Sequence, residues 1–160
     1  MCIVIDVNAI PSVFNPSASN HCEFRPILDW VDNHKIKIVY GGTKYKEELA
    51  NMPKYLSILS EMRRMGKIHE ADDVSVDTEQ KRIEQMIRRK SFNDQVIVAI
   101  VIVSRCTLIC SNDKKSFPFL TLKTLYPKGF KRPSIYTGRR NRGLLKRKHV
   151  SGRCGPCSSC

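Results

Sequence analysis

Short runs of apolar, largely β-branched residues alternate along this chain with longer segments of helical periodicity. The first run, residues 2–5, ends at Asp6, and the second, residues 36–40, is closed by two glycines. A third run covers residues 107–110. Strands buried on both faces of a parallel sheet have this composition. The alternation therefore predicts an α/β fold, with a central parallel sheet of about four to five strands and helices on both faces.

The segments between these runs predict helices. Residues 24–31 carry one apolar stripe, Thr43 is placed to cap a second helix, and Pro53 suits the first turn of a third. A fourth helix is predicted from residue 77 or 78 to residue 89. Residues 94–104 are ambiguous, because their Val and Ile content favours a strand. We interpret them as a buried helix, since the run that follows makes a better strand.

Charge divides the chain into two parts. All 15 acidic residues lie at or before Asp113, whereas 13 of the 28 Lys and Arg residues follow it. The net charge of +13 thus belongs to the last third of the chain, which should favour polyanions. After Pro127 the composition is rich in Gly, Pro and basic residues, which predicts a weakly ordered tail. We therefore predict a domain at residues 1–125 and a basic, cysteine-containing extension at residues 126–160.

The basic residues of this extension are candidates for nucleic-acid binding. Phosphate contacts from such a cluster supply affinity without reading sequence, and Tyr136, which lies among them, could stack on a base. A solubilising tail, or a segment masked by an acidic partner, is the alternative. The candidates are Lys131, Arg132, Arg139, Arg140, Arg142, Lys146, Arg147 and Lys148.

The chain ends in three cysteines separated by two-residue gaps, with a histidine upstream. Zinc takes four N or S ligands, so His149, Cys154, Cys157 and Cys160 could hold one ion. Two consecutive two-residue gaps are tight around a single ion, and an iron–sulfur cluster would need a fourth ligand from elsewhere. A redox-sensitive tail without metal is the alternative.

Other features argue against a secreted or membrane protein. A charge at position 6 interrupts any leader-like run, and the longest apolar run, residues 96–103, is far shorter than the roughly 20 residues of a membrane span. Cys2, Cys106 and Cys110 lie in or beside apolar runs, as buried free thiols do. A cytoplasmic location without a membrane partner is expected.

Carboxylates follow the predicted strands. Asp6 ends the first strand, and Asp113 comes just after the last strand. Asp94 begins the helix before that last strand, and Glu48 follows the second strand by one or two helical turns. The carboxyl ends of parallel strands lie along one edge, so these acids should converge. Two carboxylates about 4 Å apart repel by about 4 kcal/mol at an effective dielectric of about 20. Such a cluster suits Mg²⁺ or Mn²⁺, although each acid alone could be a turn, helix-start or surface residue.

These residues carry a resemblance to a known family. The sequences IVIDVN at residues 3–8, EEL at 47–49, ND at 93–94 and SNDK at 111–114 resemble, in the same order, the acidic motifs of PIN-domain nucleases. The similarity covers roughly residues 1–125. It implies a PIN-like three-layer fold and a catalytic metal site. The implied ligands of one or two Mg²⁺ or Mn²⁺ ions are Asp6, Glu48 (or Glu47, if the register is shifted by one), Asp94 and Asp113, with Asn8 and Ser111 as polar supports.

The function implied by this resemblance is a metal-dependent endoribonuclease acting on single-stranded RNA. The implied partner is RNA; toxin-type members are silenced by a small antitoxin-like inhibitor, and the sequence leaves open both such a partner here and a homodimer. Removing residues 127–160 is expected to weaken RNA binding and spare the chemistry. The alternative is a catalytically idle nucleic-acid-binding protein that uses the basic extension. A phosphatase with an Asp-x-Asp nucleophile motif is disfavoured, because Asn8 replaces the second Asp.

Overall fold

A five-stranded, all-parallel sheet forms the centre of the protein, with strand order β3-β2-β1-β4-β5. The computed structural model describes residues 2–87 and 92–145. The strands are β1 (Cys2–Ile5), β2 (Lys37–Tyr40), β3 (Ile68–Glu70), β4 (Leu108–Cys110) and β5 (Ser134–Tyr136). The helices are α1 (Ile10–Phe14), α2 (His21–Asp32), α3 (Thr43–Ala50), α4 (Pro53–Arg64), α5 (Asp73–Met86), α6 (Gln95–Ser104) and α7 (Phe117–Leu120), with 3₁₀ turns at Val7–Ala9, Lys123–Leu125 and Arg139–Leu145.

The central strand β1 is buried along its whole length, as its unbroken apolar composition predicts. It pairs with β2 on one side and with β4 on the other, where Ile5 lies opposite Cys110. The predicted α/β class, with a parallel sheet and surrounding helices, is thus confirmed. This register also determines where the predicted acidic site lies, because the residues directly after Ile5 and Cys110 leave the sheet next to each other.

The ambiguous segment at residues 94–104 is a helix, α6, as predicted. Residues 95–101 are buried without interruption, so its Val and Ile residues reflect burial rather than strand geometry. The helix ends at Arg105, whose left-handed φ of 56° reverses the chain into β4. The carboxyl-terminal end of α6 therefore lies at the amino end of β4, and its first turn lies at the opposite edge of the sheet.

Two helix starts differ from the predictions in an informative way. Helix α5 begins at Asp73 rather than at residue 77 or 78, because the Asp72 carboxylate accepts a hydrogen bond from the Ser75 amide at 2.8 Å. Helix α3 begins at Thr43 itself, and Asp77 of α5 accepts from both the amide and the hydroxyl of Thr43. A capping group far away in sequence thus replaces the predicted local cap.

The prediction of a weakly ordered tail after Pro127 is wrong for residues 127–145. Strand β5 pairs with β4 and completes the sheet, so the domain does not end at residue 125. Tyr136 and Leu145 are both fully buried. Tyr136 therefore cannot stack on an RNA base, because its ring packs edge-to-face on Phe24 with the centroids 6.0 Å apart.

Every helix within residues 2–87 and 92–145 is too short or too polar to cross a bilayer.

Candidate active site

Asp6 is a buried carboxylate at the carboxyl end of the central strand. Its side chain is 2% exposed. One oxygen accepts a hydrogen bond from the Ser111 hydroxyl at 2.7 Å, and the other accepts from the Asn8 amide at 3.0 Å. Ser111 follows β4, so the β1–β4 register brings it beside Asp6. The predicted supports thus contact Asp6, although Asn8 does so through its backbone and its own side chain is exposed.

Asp113 and Asp94 are brought together by a serine that the sequence did not single out. The Ser116 hydroxyl contacts Asp113 Oδ2 at 2.8 Å and also contacts Asp94 Oδ2. Asp113 is tied back to Ser111, whose hydroxyl oxygen accepts from the Asp113 amide at 3.1 Å. A hydroxyl carries one proton, so Ser116 can donate to only one of the two carboxylates at a time. The hydroxyl thus links the two side chains, with one of the carboxylates accepting its proton.

Helix α3 supplies the fourth acid. The Tyr45 hydroxyl donates to the Ile5 carbonyl at 2.7 Å and so anchors α3 beside the end of β1. Glu48, one turn further along, is half-buried, whereas Glu47 is exposed. Lys44 of the same helix donates to the carbonyl of Asn93, the residue directly before Asp94, at 2.9 Å. Of the two adjacent glutamates, Glu48 is the one directed toward the cluster.

The four acids influence one another electrostatically. Burial raises the pKa of Asp6 most strongly, hydrogen bonds from Ser111 and Asn8 oppose this, and the charges of Asp94 and Asp113 raise it further. Burial also raises the pKa of Glu48; Lys44 lowers it, and Asp94 and Asp6 raise it again. No ion pair to any of these four carboxylates is found within the described ranges. Their mutual repulsion is therefore not balanced by a neighbouring Lys or Arg at ion-pair distance.

The donor set fits a hard divalent cation. All four side chains offer carboxylate oxygens, which Mg²⁺ and Mn²⁺ prefer to nitrogen or sulfur. Over residues 2–87 and 92–145, no three His, Cys, Asp or Glu side chains are arranged so that they could hold one ion together. The donor chemistry therefore fits such an ion, whereas the present positions of these side chains do not bring three of them around one point.

The raised pKa of Glu48 predicts a measurable effect on stability in EDTA. Because its folded-state pKa lies above the ordinary 4.5, the native state holds the proton more tightly than the unfolded chain. The contribution of Glu48 to stability therefore falls as the pH rises through that pKa. We expect Glu48→Gln to become more stable relative to wild type as the pH rises from 4 to 8, as measured by urea unfolding. The neighbouring Glu47→Gln should show no such pH-dependent gain, and an equal gain in both would contradict the placement of Glu48.

Some of the predicted nucleic-acid-binding residues lie within the described ranges, and the others lie outside them. Lys131, Arg132, Arg139, Arg140 and Arg142 are exposed. The last three lie on the 3₁₀ turn that follows β5. The remaining candidates Lys146, Arg147 and Lys148, and the candidate zinc ligands His149, Cys154, Cys157 and Cys160, lie outside the described residues.

A groove that the sequence did not predict opens next to the acids. It has a volume of about 510 Å³ and lies between the first turn of α2 and the loops after β4 and β5. Residues on both sides of Asp113 reach it from the β4 loop. The only sequence signal for it was the SNDK motif, two residues of which, Asn112 and Lys114, line the groove. Its lining includes Asn20, Phe24, Asn112, Lys114, Phe117 and Arg140.

Comparison with known proteins leaves these observations to stand on their own. No family model, no curated protein and no solved structure matches this chain.

Proposed function

We propose that this protein is a metal-dependent endoribonuclease of PIN type that hydrolyses phosphodiester bonds of single-stranded RNA in the cytoplasm. One observation carries the proposal: Asp6 is a carboxylate buried at the end of the central strand, and Asp94, Asp113 and Glu48 all lie close enough to shift its pKa or be shifted by it. A folded protein retains such a repulsive cluster at a cost in stability. Clusters of this kind are typical of sites at which a cation or a reaction offsets that cost.

The residues that would hold Mg²⁺ or Mn²⁺ are the four acids. When bound, such an ion lowers the pKa of a coordinated water and so supplies a nucleophile for phosphodiester hydrolysis at neutral pH. Around it, Ser111 and the Asn8 amide fix the orientation of the Asp6 carboxylate. The Ser116 hydroxyl donates to one of Asp94 and Asp113 and holds these two side chains close together.

The alternative is a catalytically idle nucleic-acid-binding protein. The exposed Arg139, Arg140 and Arg142 on one short turn favour this role, since closely spaced arginines suit a phosphate backbone. A binding role alone would give no reason for four acids close to one another at the edge of the sheet. A nuclease accounts for both features, because the arginines would hold the substrate that the acids cut.

Cleavage of labelled single-stranded RNA separates the two roles. We expect wild-type protein to cut the RNA internally with Mn²⁺ or Mg²⁺ and to leave it intact in EDTA. The arrest should be reversed when the divalent ion is restored in excess. Binding without cleavage under every metal condition would contradict the nuclease and favour the idle binder. Cleavage that persists in EDTA would contradict the metal-dependent mechanism.

A further inference from the structure

We propose that the groove between α2 and the loops after β4 and β5 binds one unpaired nucleotide of the substrate strand and thereby makes the protein select single-stranded RNA. This inference rests on the proposed function, because it names the substrate-binding part of the same site. It assigns roles to Lys114 and Phe117, which lie beside the acids but hold no metal in the proposal.

The position of the groove is fixed by the loop after β4. Asp113 belongs to the acid cluster through its contacts with Ser111 and Ser116. Its two chain neighbours, Asn112 and Lys114, line the groove and are both exposed. A strand whose backbone passes the acids would thus bring an adjacent nucleotide to the groove.

The chemistry of the lining suits a nucleotide. Phe117 provides accessible aromatic surface, because its ring is only half-buried, whereas Phe24 is buried and packs against Tyr136 beneath the groove. Asn20 precedes α2, and its side chain makes no capping hydrogen bond to that helix. Amides can pair with the edges of a base, and aromatic rings can stack on its face. A volume of about 510 Å³ lies within the range of about 300 to 1,000 Å³ of small-ligand sites.

Cations approach this groove from two separate segments. Lys114 comes from the loop after β4, and Arg140 comes from the turn after β5. A phosphate on each side of the bound nucleotide would therefore meet a positive charge. Glu23 also lines the groove, but its carboxylate already accepts a hydrogen bond from the Arg139 amide at 2.9 Å.

The Arg140 side of the groove is held in place by several contacts. The Tyr136 hydroxyl donates to the Glu23 carbonyl at 2.9 Å, which ties β5 to α2. Asn141 closes the turn by donating to the Ile135 carbonyl at 2.7 Å and accepting from the Thr137 amide at 3.2 Å. Gly138 adopts a φ of 147°, and a Cβ there would lie 2.8 Å from the Glu23 carboxylate. Glycine suits this backbone conformation, which other residues rarely adopt, and the contacts of the turn leave little ordering of the backbone for binding.

A base can enter such a groove only when it is neither paired nor stacked in a duplex. Sequence-reading and stacking contacts to RNA are accordingly made to single strands, loops and ends. A duplex would meet the same cations through its phosphates, but it would leave the Phe117 ring without a partner. The groove therefore predicts selection by strandedness.

Binding in EDTA tests the groove independently of cleavage. Fluorescence anisotropy with a labelled single-stranded RNA, and with its duplex, is measured for wild type and for Lys114→Ala, Arg140→Ala and Phe117→Ala. We expect each cation variant to raise Kd about tenfold. The double variant Lys114→Ala/Arg140→Ala should also reduce the slope of log K against log salt by about 1.4, since each single-strand phosphate contributes about 0.7. Phe117→Ala should weaken single-strand binding about tenfold without changing the salt slope, and leave duplex binding unchanged.

Matched controls remove the same charges at the opposite edge of the sheet. Lys37 begins β2 and Arg64 ends α4, and both are exposed. Lys37→Ala and Arg64→Ala should each change Kd less than twofold, and circular dichroism verifies folding of every variant. The groove is wrong if its variants bind as the controls do, or if Phe117→Ala weakens duplex and single strand equally. If RNA binds as expected but is never cut with Mn²⁺, the nuclease fails while the groove stands.

Discussion

Asp6→Asn is expected to lower metal-dependent RNA cleavage at least about 100-fold, because it removes the buried charge that would hold the ion. The substitution is nearly isosteric. The Asn oxygen can still accept from the Asn8 amide, and Ser111 can reverse its hydrogen bond to accept from the new NH₂ group. The free energy of unfolding in EDTA should therefore stay equal or rise. Initial rates of cleavage with Mn²⁺, read beside urea unfolding and RNA binding in EDTA, check this expectation.

Substitutions of other carboxylates test the same site and supply its controls. Asp113→Asn and Glu48→Gln are expected to reduce cleavage in the same way, whereas Glu47→Gln tests the adjacent exposed residue. Asp29→Asn, in the exposed part of α2, serves as the matched control for loss of one Asp charge. Wild-type cleavage by both Asp6→Asn and Asp113→Asn would refute the assignment of the site. Loss of cleavage in Glu47→Gln but not in Glu48→Gln would shift the helix register by one.

The sheet could be predicted from sequence because its central strands are apolar on both faces. Residues 2–5 have no polar position at all, and this pattern arises only where neighbouring strands and helices cover both sides. The acids could be placed for a related reason. A charge that directly follows a buried strand, as Asp6 does, must lie at the edge of the sheet, and parallel strands share that edge.

The outer strands could not be predicted, because they are short and lie at the margin of the sheet. Strand β5 has three residues, its flanks contain Pro, Gly and basic residues, and only Tyr136 in it is fully buried. Its position depends on partners distant in sequence, among them the Thr107 carbonyl, which accepts from the Ser134 amide at 2.8 Å. Local composition carries no information about such pairing.

The contact made by Ser116 could not be predicted from local sequence either. It depends on the turn after Asp113 bringing residue 116 back toward Asp94 on another helix. Asp94 was predicted in the first turn of α6 and lies directly before it, at the N-cap position, since a polar residue before a long apolar run indicates a helix start. The strand or helix next to which each acid lies could thus be predicted from sequence, whereas the hydrogen bonds between the acids depend on the tertiary structure.

Tyr136→Ala is expected to destabilise the protein by about 3 to 5 kcal/mol, as large-to-small substitutions of buried aromatics do. The side chain is fully buried, packs on Phe24 and donates a hydrogen bond to the Glu23 carbonyl. Burial also raises the pKa of its hydroxyl to about 12, so it stays protonated and remains a donor. A loss of this size is a large part of the roughly 5 to 15 kcal/mol available to a domain. Urea unfolding at neutral pH measures it.

Two further variants distinguish a strand of the domain from a dispensable tail. Tyr136→Phe keeps the packing and should cost only about 1 kcal/mol for the lost hydrogen bond, while the exposed Arg132→Ala should stay within about 0.5 kcal/mol of wild type. Deletion of residues 127–160, which from composition alone was expected to spare the chemistry, removes β5 and exposes the edge of β4. We therefore expect that deletion to unfold or aggregate the protein. A truncated chain that unfolds at the wild-type urea concentration would show that β5 contributes nothing to the domain.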